Sequence, residues 1–312
     1  MTLEGGVALS ATFPDPSGAA APAGLEVSPR KKLGFGGWFA LVWLALVILC
    51  AVLGSILPGV SSFNTTFLDA ASSKPLTHGH ILGVDDNGHD TLSMLVVGAR
   101  ASLEVAFGAV AAGILLGGSL GLIAGYYKGV VDLLISTVFD VMLAVPALIL
   151  ALALVSFLRG DPQKTHWPAE VVLIIALGIV STPVLGRITR ASALTWSQRE
   201  FVMAARAQGA KNFRIMWREV LPNVLPALFS IALLSVGIVI VAEGGLSLLG
   251  VGIPFDQKPS WGNMIALFGQ SNLRDAPYLV FAPIICLFLT VLSLNLLGDV
   301  VRARFDVRES SV

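Results

Sequence analysis

The sequence predicts an all-α polytopic membrane protein: six transmembrane helices, with a polar helical loop between the fourth and the fifth. Three observations predict it. Hydrophobic residues make up 55% of the 312 residues and charged residues only 13%, against roughly 25% charged in soluble domains. The charges gather in an N-terminal tail and between apolar runs. Those runs reach about 20 residues or more, enough to cross a hydrocarbon core about 30 Å thick. A polar, basic stretch between apolar runs, Glu200 to Pro222, is built from helix formers rather than turn residues.

Residues 1–29 are rich in Ala, Pro, Gly and Ser without periodicity. Such a segment buries too little apolar surface to offset its ordering entropy, so it is expected to be a disordered cytoplasmic tail. Arg30, Lys31 and Lys32 then open a membrane domain over 30–312. Its first apolar run lies too far from the N-terminus and is too long for a cleaved leader, so it reads as a permanent helix. The predicted spans are 38–57, 102–127, 130–157, 171–190, 223–249 and 279–300. Six spans put both termini on one side. Fourteen of the 20 Lys and Arg residues then fall on the side of the N-terminus and six on the other, which places both ends in the cytoplasm. Cys50 and Cys286 lie inside spans and suggest neither a disulfide nor a metal site.

Two spans carry more than lipid-facing residues. Gly108, Gly113, Gly117, Gly118, Gly121 and Gly125 give the second a small face, so another backbone is expected to pack close against it. Pro146 stands mid-way along the third and is expected to kink it. Three external segments, 58–101, 158–170 and 250–278, are too long for simple turns. The last is expected to include a short interfacial helix near Trp261–Gln270, anchored by its tryptophan.

The polar loop over 198–222 has its own local logic. Glu200 begins a helix in which Ala204, Ala205 and Ala207 add propensity with little bulk. Gly209 can take the left-handed conformation that ends a helix. Asn212 is expected to cap a second helix running to Val220, and Pro222 to open the fifth span. Arg206, Lys211, Arg214 and Arg218 flank the turn as partners for acids or lipid phosphates.

This stretch resembles the E-A-A-x-x-x-G loop of ABC-transporter membrane subunits. Ala204, Ala205, Gly209 and the Leu221-Pro222 pair keep the register, while Met203 replaces the leading glutamate and Glu219 a common histidine. His80 to Asp90 is similar to the H-x-L-G-T-D-x-x-G-R-D segment of the second, C-type permease of dipeptide, oligopeptide and nickel importers. Glu243 to Gly250, Pro259 to Met264 and Leu294 to Asp299 match further motifs of that family, so the resemblance covers about 80–308. His89 and Thr137 depart from it, standing where arginines are usual.

The resemblance implies a permease subunit of a bacterial cell-membrane importer for di- or oligopeptides, with nickel or glutathione as the alternative. The implied partners are a homologous second permease, one or two ABC ATPase subunits, an external solute-binding protein and the lipid bilayer. ATP and Mg belong to the partner ATPase. The chain lacks G-x-x-x-x-G-K-[ST], so it is expected to hydrolyse no ATP and to bind no cofactor. Its balanced charge suggests no nucleic acid.

Glu200, Ala204, Ala205, Gly209, Leu221 and Pro222 are therefore expected to couple to the ATPase. Asp140, deep in the third span, is expected to avoid lipid by facing the translocation path, a gate or the partner subunit. Pro146 and Glu243 are assigned to the same path or gate, Glu243 at a water-exposed span end. Asp85, Asp90 and Trp261 are expected on the external substrate or binding-protein surface. His78, His80 and His89, with Asp85, Asp86 and Asp90, have the residue types of an external metal site, but the family pattern explains most of those positions without a metal. The competing classes are a membrane enzyme using the external His/Asp cluster, and a channel or receptor working without an ATPase.

Overall fold

The computed structural model describes residues 34–54, 60, 65–160 and 167–309, with side chains described as far as Arg304. The tail over 1–29, with Arg30, Lys31 and Lys32, lies outside the described residues. The described residues form helices joined by loops, with isolated bridges Thr77–His80 and Val84–Asp90 in the loop before the second span. The elements are α1 (Phe35–Leu53), α2 (Thr91–Gly113), α3 (Ser119–Tyr127), α4 (Gly129–Ala144), α5 (Ala147–Arg159), α6 (Ala169–Trp196), α7 (Glu200–Ala207), α8 (Asn212–Ile215), α9 (Leu221–Leu248), α10 (Trp261–Ser271) and α11 (Pro277–Glu309). A π-turn over Ile114–Gly118 joins α2 to α3, and another over Met216–Val220 joins α8 to α9. Among the described residues five continuous helical stretches are long and apolar enough to cross a membrane, and a bent pair, α4 with α5, makes up to six.

The boundaries moved where the fold supplies partners to polar groups. The second span begins at Thr91 rather than 102. Asp90 caps it by accepting from the Ser93 N–H (2.8 Å) and Ser93 Oγ (2.6 Å). Further along the helix Arg100 and Glu104 form an i,i+4 ion pair at 2.7 Å. The third span is broken rather than kinked. Val145 takes an extended conformation (φ −89°, ψ 130°), as a residue before proline prefers, and α4 and α5 meet at 93°.

The loop helix after Gly209 is no separate element. Lys211, not Asn212, is the capping residue, and the helix runs from Asn212 to Leu248. The Asn212 side chain instead accepts from the Tyr126 hydroxyl (3.0 Å). Pro222 sits in the first turn after the π-turn.

The glycine face of the second span packs on α6. A Cβ at Gly117 would lie 2.1 Å from the Thr182 carbonyl oxygen, and one at Gly121 2.1 Å from that of Gly186. Backbone therefore meets backbone, which only glycine permits. The main core joins α1, α2, α5, α6, α9, α10 and α11 around Val105, Leu173, Leu185, Ile240, Met264 and Leu294. A smaller core gathers Leu122, Tyr126, Ala193, Val202, Ile215, Met216, Val220 and Val224 beneath the polar hairpin.

Candidate functional site

The hairpin of α7 and α8 is the most distinct surface of the molecule. Glu200 opens α7, where a carboxylate favours the positive end of the helix. Arg199, just before it, stacks 5.3 Å over the Trp196 ring. At the other end the Gly209 N–H donates to the Arg206 carbonyl (3.0 Å) and the Ala210 N–H to that of Ala205 (3.1 Å). With Gly209 at φ +81°, this is a Schellman closure. Nothing lies within 4 Å of a Cβ built there, so conformation rather than space demands the glycine.

Val202 on α7 and Ile215, Met216 and Val220 beyond the turn hold the hairpin against the ends of α3 and α6. Ala204 and Gly209 remain exposed, Ala205 and Leu221 are half-buried, and Pro222 is exposed. Phe201, Met203, Phe213 and Trp217 add apolar surface around them. The result is a rigidly mounted, small-residue knob with a basic rim.

A second polar region joins α4 to α6. Arg190 donates to both oxygens of Asp132, and Arg187 donates to Oδ1 of Asp140. The sequence drew attention to Asp140 alone. Arg187 and Arg190 counted there only toward topology, although two arginines three apart near a span end, and two aspartates eight apart in the preceding span, are the signal that pairs them. Pro146 opens α5 at the break, exposed along with its neighbours 143–149.

The opposite end of the bundle corrects four expectations. Asp85 is 0% exposed and accepts from the N–H groups of Asn87 (3.0 Å) and His89 (2.6 Å), with His89 Nδ1 at 3.1 Å. Asp90, also buried, caps α2 and meets His80 Nδ1 at 2.9 Å. Trp261 forms α10 as expected but is 2% exposed. Its N–H donates to Ser102 Oγ (3.1 Å) and its Nε1–H to the Leu95 carbonyl (3.0 Å), so it plugs α10 into α2 instead of resting at an interface.

Glu243, expected at a wet span end, is 1% exposed. Its Oε1 accepts from Ser260 Oγ (2.9 Å) and Ser247 Oγ (3.1 Å), tying α9 to the cap of α10. None of these four therefore offers a surface. Asp85 and Asp90 turn inward to accept from backbone N–H groups of the loop and the helix start, Glu243 accepts from two serine hydroxyls, and Trp261 donates.

What this end does expose is Asp86. Ser72 Oγ (2.7 Å) and Asn272 Nδ2 (2.8 Å) both donate to it. Those two hydrogen bonds, Ser72 foremost, hold its carboxyl below the usual carboxylate range. Among the described residues no group of three or more His, Cys, Asp or Glu side chains is placed to hold a metal.

The family of binding-protein-dependent transport system inner membrane components matches residues 117–309, from the glycine face of the second span through the hairpin to the last helix. The chain belongs to that family. A dipeptide transport system permease of Alkalihalophilus pseudofirmus is 37% identical over 90% of this chain and 88% of its own length. A di/tripeptide permease of Pseudomonas aeruginosa is 34% identical over 89% and 88%. A glutathione permease of Pectobacterium atrosepticum is 31% identical over 86% of each. An inward-facing methionine ABC transporter shares the fold at a TM-score of 0.56 and 19% identity, covering 68% of this chain and 97% of its own.

Proposed function

We propose that this chain is one of two membrane-spanning permease subunits of an ATP-driven importer for di- and oligopeptides. The carrying observation is the exposed Ala204–Gly209 knob, fixed to α3 and α6 by its own apolar core. Support comes from the dipeptide and di/tripeptide permeases that resemble this chain over most of its length. The glutathione permease favours a related second reading, a tripeptide-like thiol substrate.

In this reading the knob seats in a cleft of an ABC ATPase subunit, which carries ATP and Mg. Glu200, Ala204, Ala205, Gly209, Leu221 and Pro222 form the coupling element. The sites lie in a bacterial inner membrane, with both termini and the hairpin in the cytoplasm and an external solute-binding protein at the other end. ATP-driven closure moves the hairpin, and the Tyr126–Asn212 hydrogen bond and the small core pass that motion to α3 and α6. Arg187 and Arg190 carry it onward to α4. The break at Val145–Pro146 lets α4 swing without dragging α5, so Asp140 and Pro146 line the path that opens and closes.

Uptake of labelled dipeptide, longer oligopeptide and nickel in cells with and without this chain tests the reading, with ATP depletion as control. ATP-dependent loss of peptide uptake is expected. Loss of nickel uptake with peptides intact overturns the substrate class, and uptake that survives ATP depletion overturns the mechanism.

A further inference from the structure

The tie between α9 and α10 is incompletely paired, unlike its neighbours. Asp85 and Asp90 have partners at both carboxylate oxygens. Glu243 accepts from Ser260 Oγ (2.9 Å) and Ser247 Oγ (3.1 Å) at Oε1 alone. Among the described residues its Oε2 is the one buried carboxyl oxygen without a hydrogen-bond partner. That oxygen is pressed onto α10, where a Cβ built at Gly262 would lie 2.5 Å from it. Residues of this chain alone bury Glu243, so a partner subunit cannot reach in to supply a donor. A buried acceptor left unpaired is costly, and a simple brace gains nothing from it.

The crossing itself is smooth. A Cβ at Gly262 would lie 2.7 Å from the Gly244 Cα, and one at Gly244 3.7 Å from the Gly262 Cα, so backbone passes backbone. The start of α10 is fixed elsewhere. Trp261 donates twice to α2, and Lys258, just before the cap, meets Glu104 of α2 (3.1 Å) and Glu170 of α6 (3.5 Å). Among the described residues one side-chain hydrogen bond, from Ser260 to Glu243, holds α9 to that cap. The other end of α9 is the hairpin, because a single helical stretch runs from Asn212 to Leu248. Glu243 lies about 46 Å along it from Asn212, at 1.5 Å per residue.

We propose that the crossing of α9 and α10 is a sliding joint, with Glu243 as its two-position latch. The proposal rests on the reading in which an ATPase moves the hairpin, and it adds where that motion is released at the opposite end of the bundle. In the arrangement seen here Ser260 is engaged and Oε2 is unpaired. Once α9 shifts along its axis past Gly262, the Ser260 bond is lost and Oε2 meets water or a backbone N–H. Ser247 lies on the same helix and follows Glu243 in both positions. One hydrogen bond is thus exchanged for another, so the two arrangements lie close in free energy, as a shear joint requires. Glu243 touches no transported molecule in this mechanism and acts by positioning α9.

The test uses the complete transporter with its ATPase and binding protein. Melting is followed in detergent, and ATP hydrolysis and import of labelled alanyl-alanine in proteoliposomes. Glu243→Met removes the unpaired oxygen at similar volume and so favours the arrangement seen here. It is expected to melt no lower than the unaltered complex, while hydrolysis and import both fall about 10-fold. Glu243→Gln, whose amide is hydrated after the slide as the carboxyl is, is expected to keep most of both. A methionine variant that melts lower, or that turns over normally, overturns the proposal, because Glu243 is then a brace or idle. So does a glutamine variant as slow as the methionine one, which gives the role to charge. An unaltered complex that hydrolyses ATP but ignores alanyl-alanine overturns the peptide reading alone, since hydrolysis still reads the joint. An unaltered complex without hydrolysis overturns both.

Discussion

The two ends of the bundle use their distinctive residues in opposite ways. At the capped end the polar residues Asp85, Asp90 and Glu243, with the indole of Trp261, are buried and hold loops to helices. At the hairpin end the small residues Ala204 and Gly209 stand in the open on a buried apolar footing. Polarity marks structure at one end, and smallness marks the contact surface at the other. The difference arises because loops must find acceptors for their N–H groups. A helical hairpin satisfies its own and is free to show a smooth face.

The largest break in this comparison is Trp261→Ala. Removing a fully buried indole and orphaning the Leu95 carbonyl is expected to cost about 3–5 kcal/mol. It should appear as a lower melting temperature of the purified complex in detergent, and an unchanged melt would put Trp261 back on the surface. Asp85→Ala comes next. It strips an acceptor from two backbone N–H groups and a histidine, for about 2–3 kcal/mol. Faster proteolytic cleavage within 65–90 is the expected sign, with Asp85→Asn intermediate.

Gly209 sharpens the other half of the comparison. Gly209→Val strains a backbone at φ +81° by about 1–2 kcal/mol, a local cost that leaves the bundle folded. Peptide uptake should fall sharply while ATP hydrolysis continues. Gly209→Asn, which tolerates that conformation, should keep most of the uptake. If valine transports like glycine, the hairpin has no coupling role.

The smallest effect concerns Asp86. Its carboxyl titrates below its ordinary value, about 4. Its tie to Asn272 is therefore complete above that value and is lost as the pH falls through the depressed one. Cap proteolysis should accelerate only below about pH 4, and Asp86→Asn should flatten that dependence.

Much of the fold was legible because it rests on local physics. Apolar length announced the helices, and the glycine face of the second span foretold a close neighbour, found in α6. Gly209 ended its helix as its missing side chain allows. Pro146 interrupted the third span, though as a full break rather than a kink, since the residue before it also left the helical region. The second span begins at Thr91, earlier than the predicted 102, because Asp90 caps the helix there. The fifth span absorbed the second hairpin helix because a π-turn let the chain run through Pro222.

By itself, then, the sequence determined an all-helical chain with spans long enough for a membrane, a polar hairpin turned by Gly209 and a discontinuity at Pro146. Each follows from hydrophobicity or from the φ that a single residue permits. Only the tertiary structure decided which polar groups are buried and which are open. Trp261 finds its acceptor 166 positions away at Leu95, and Asp140 its arginine 47 positions away at Arg187. Such pairings depend on how whole helices pack, and no local preference encodes them.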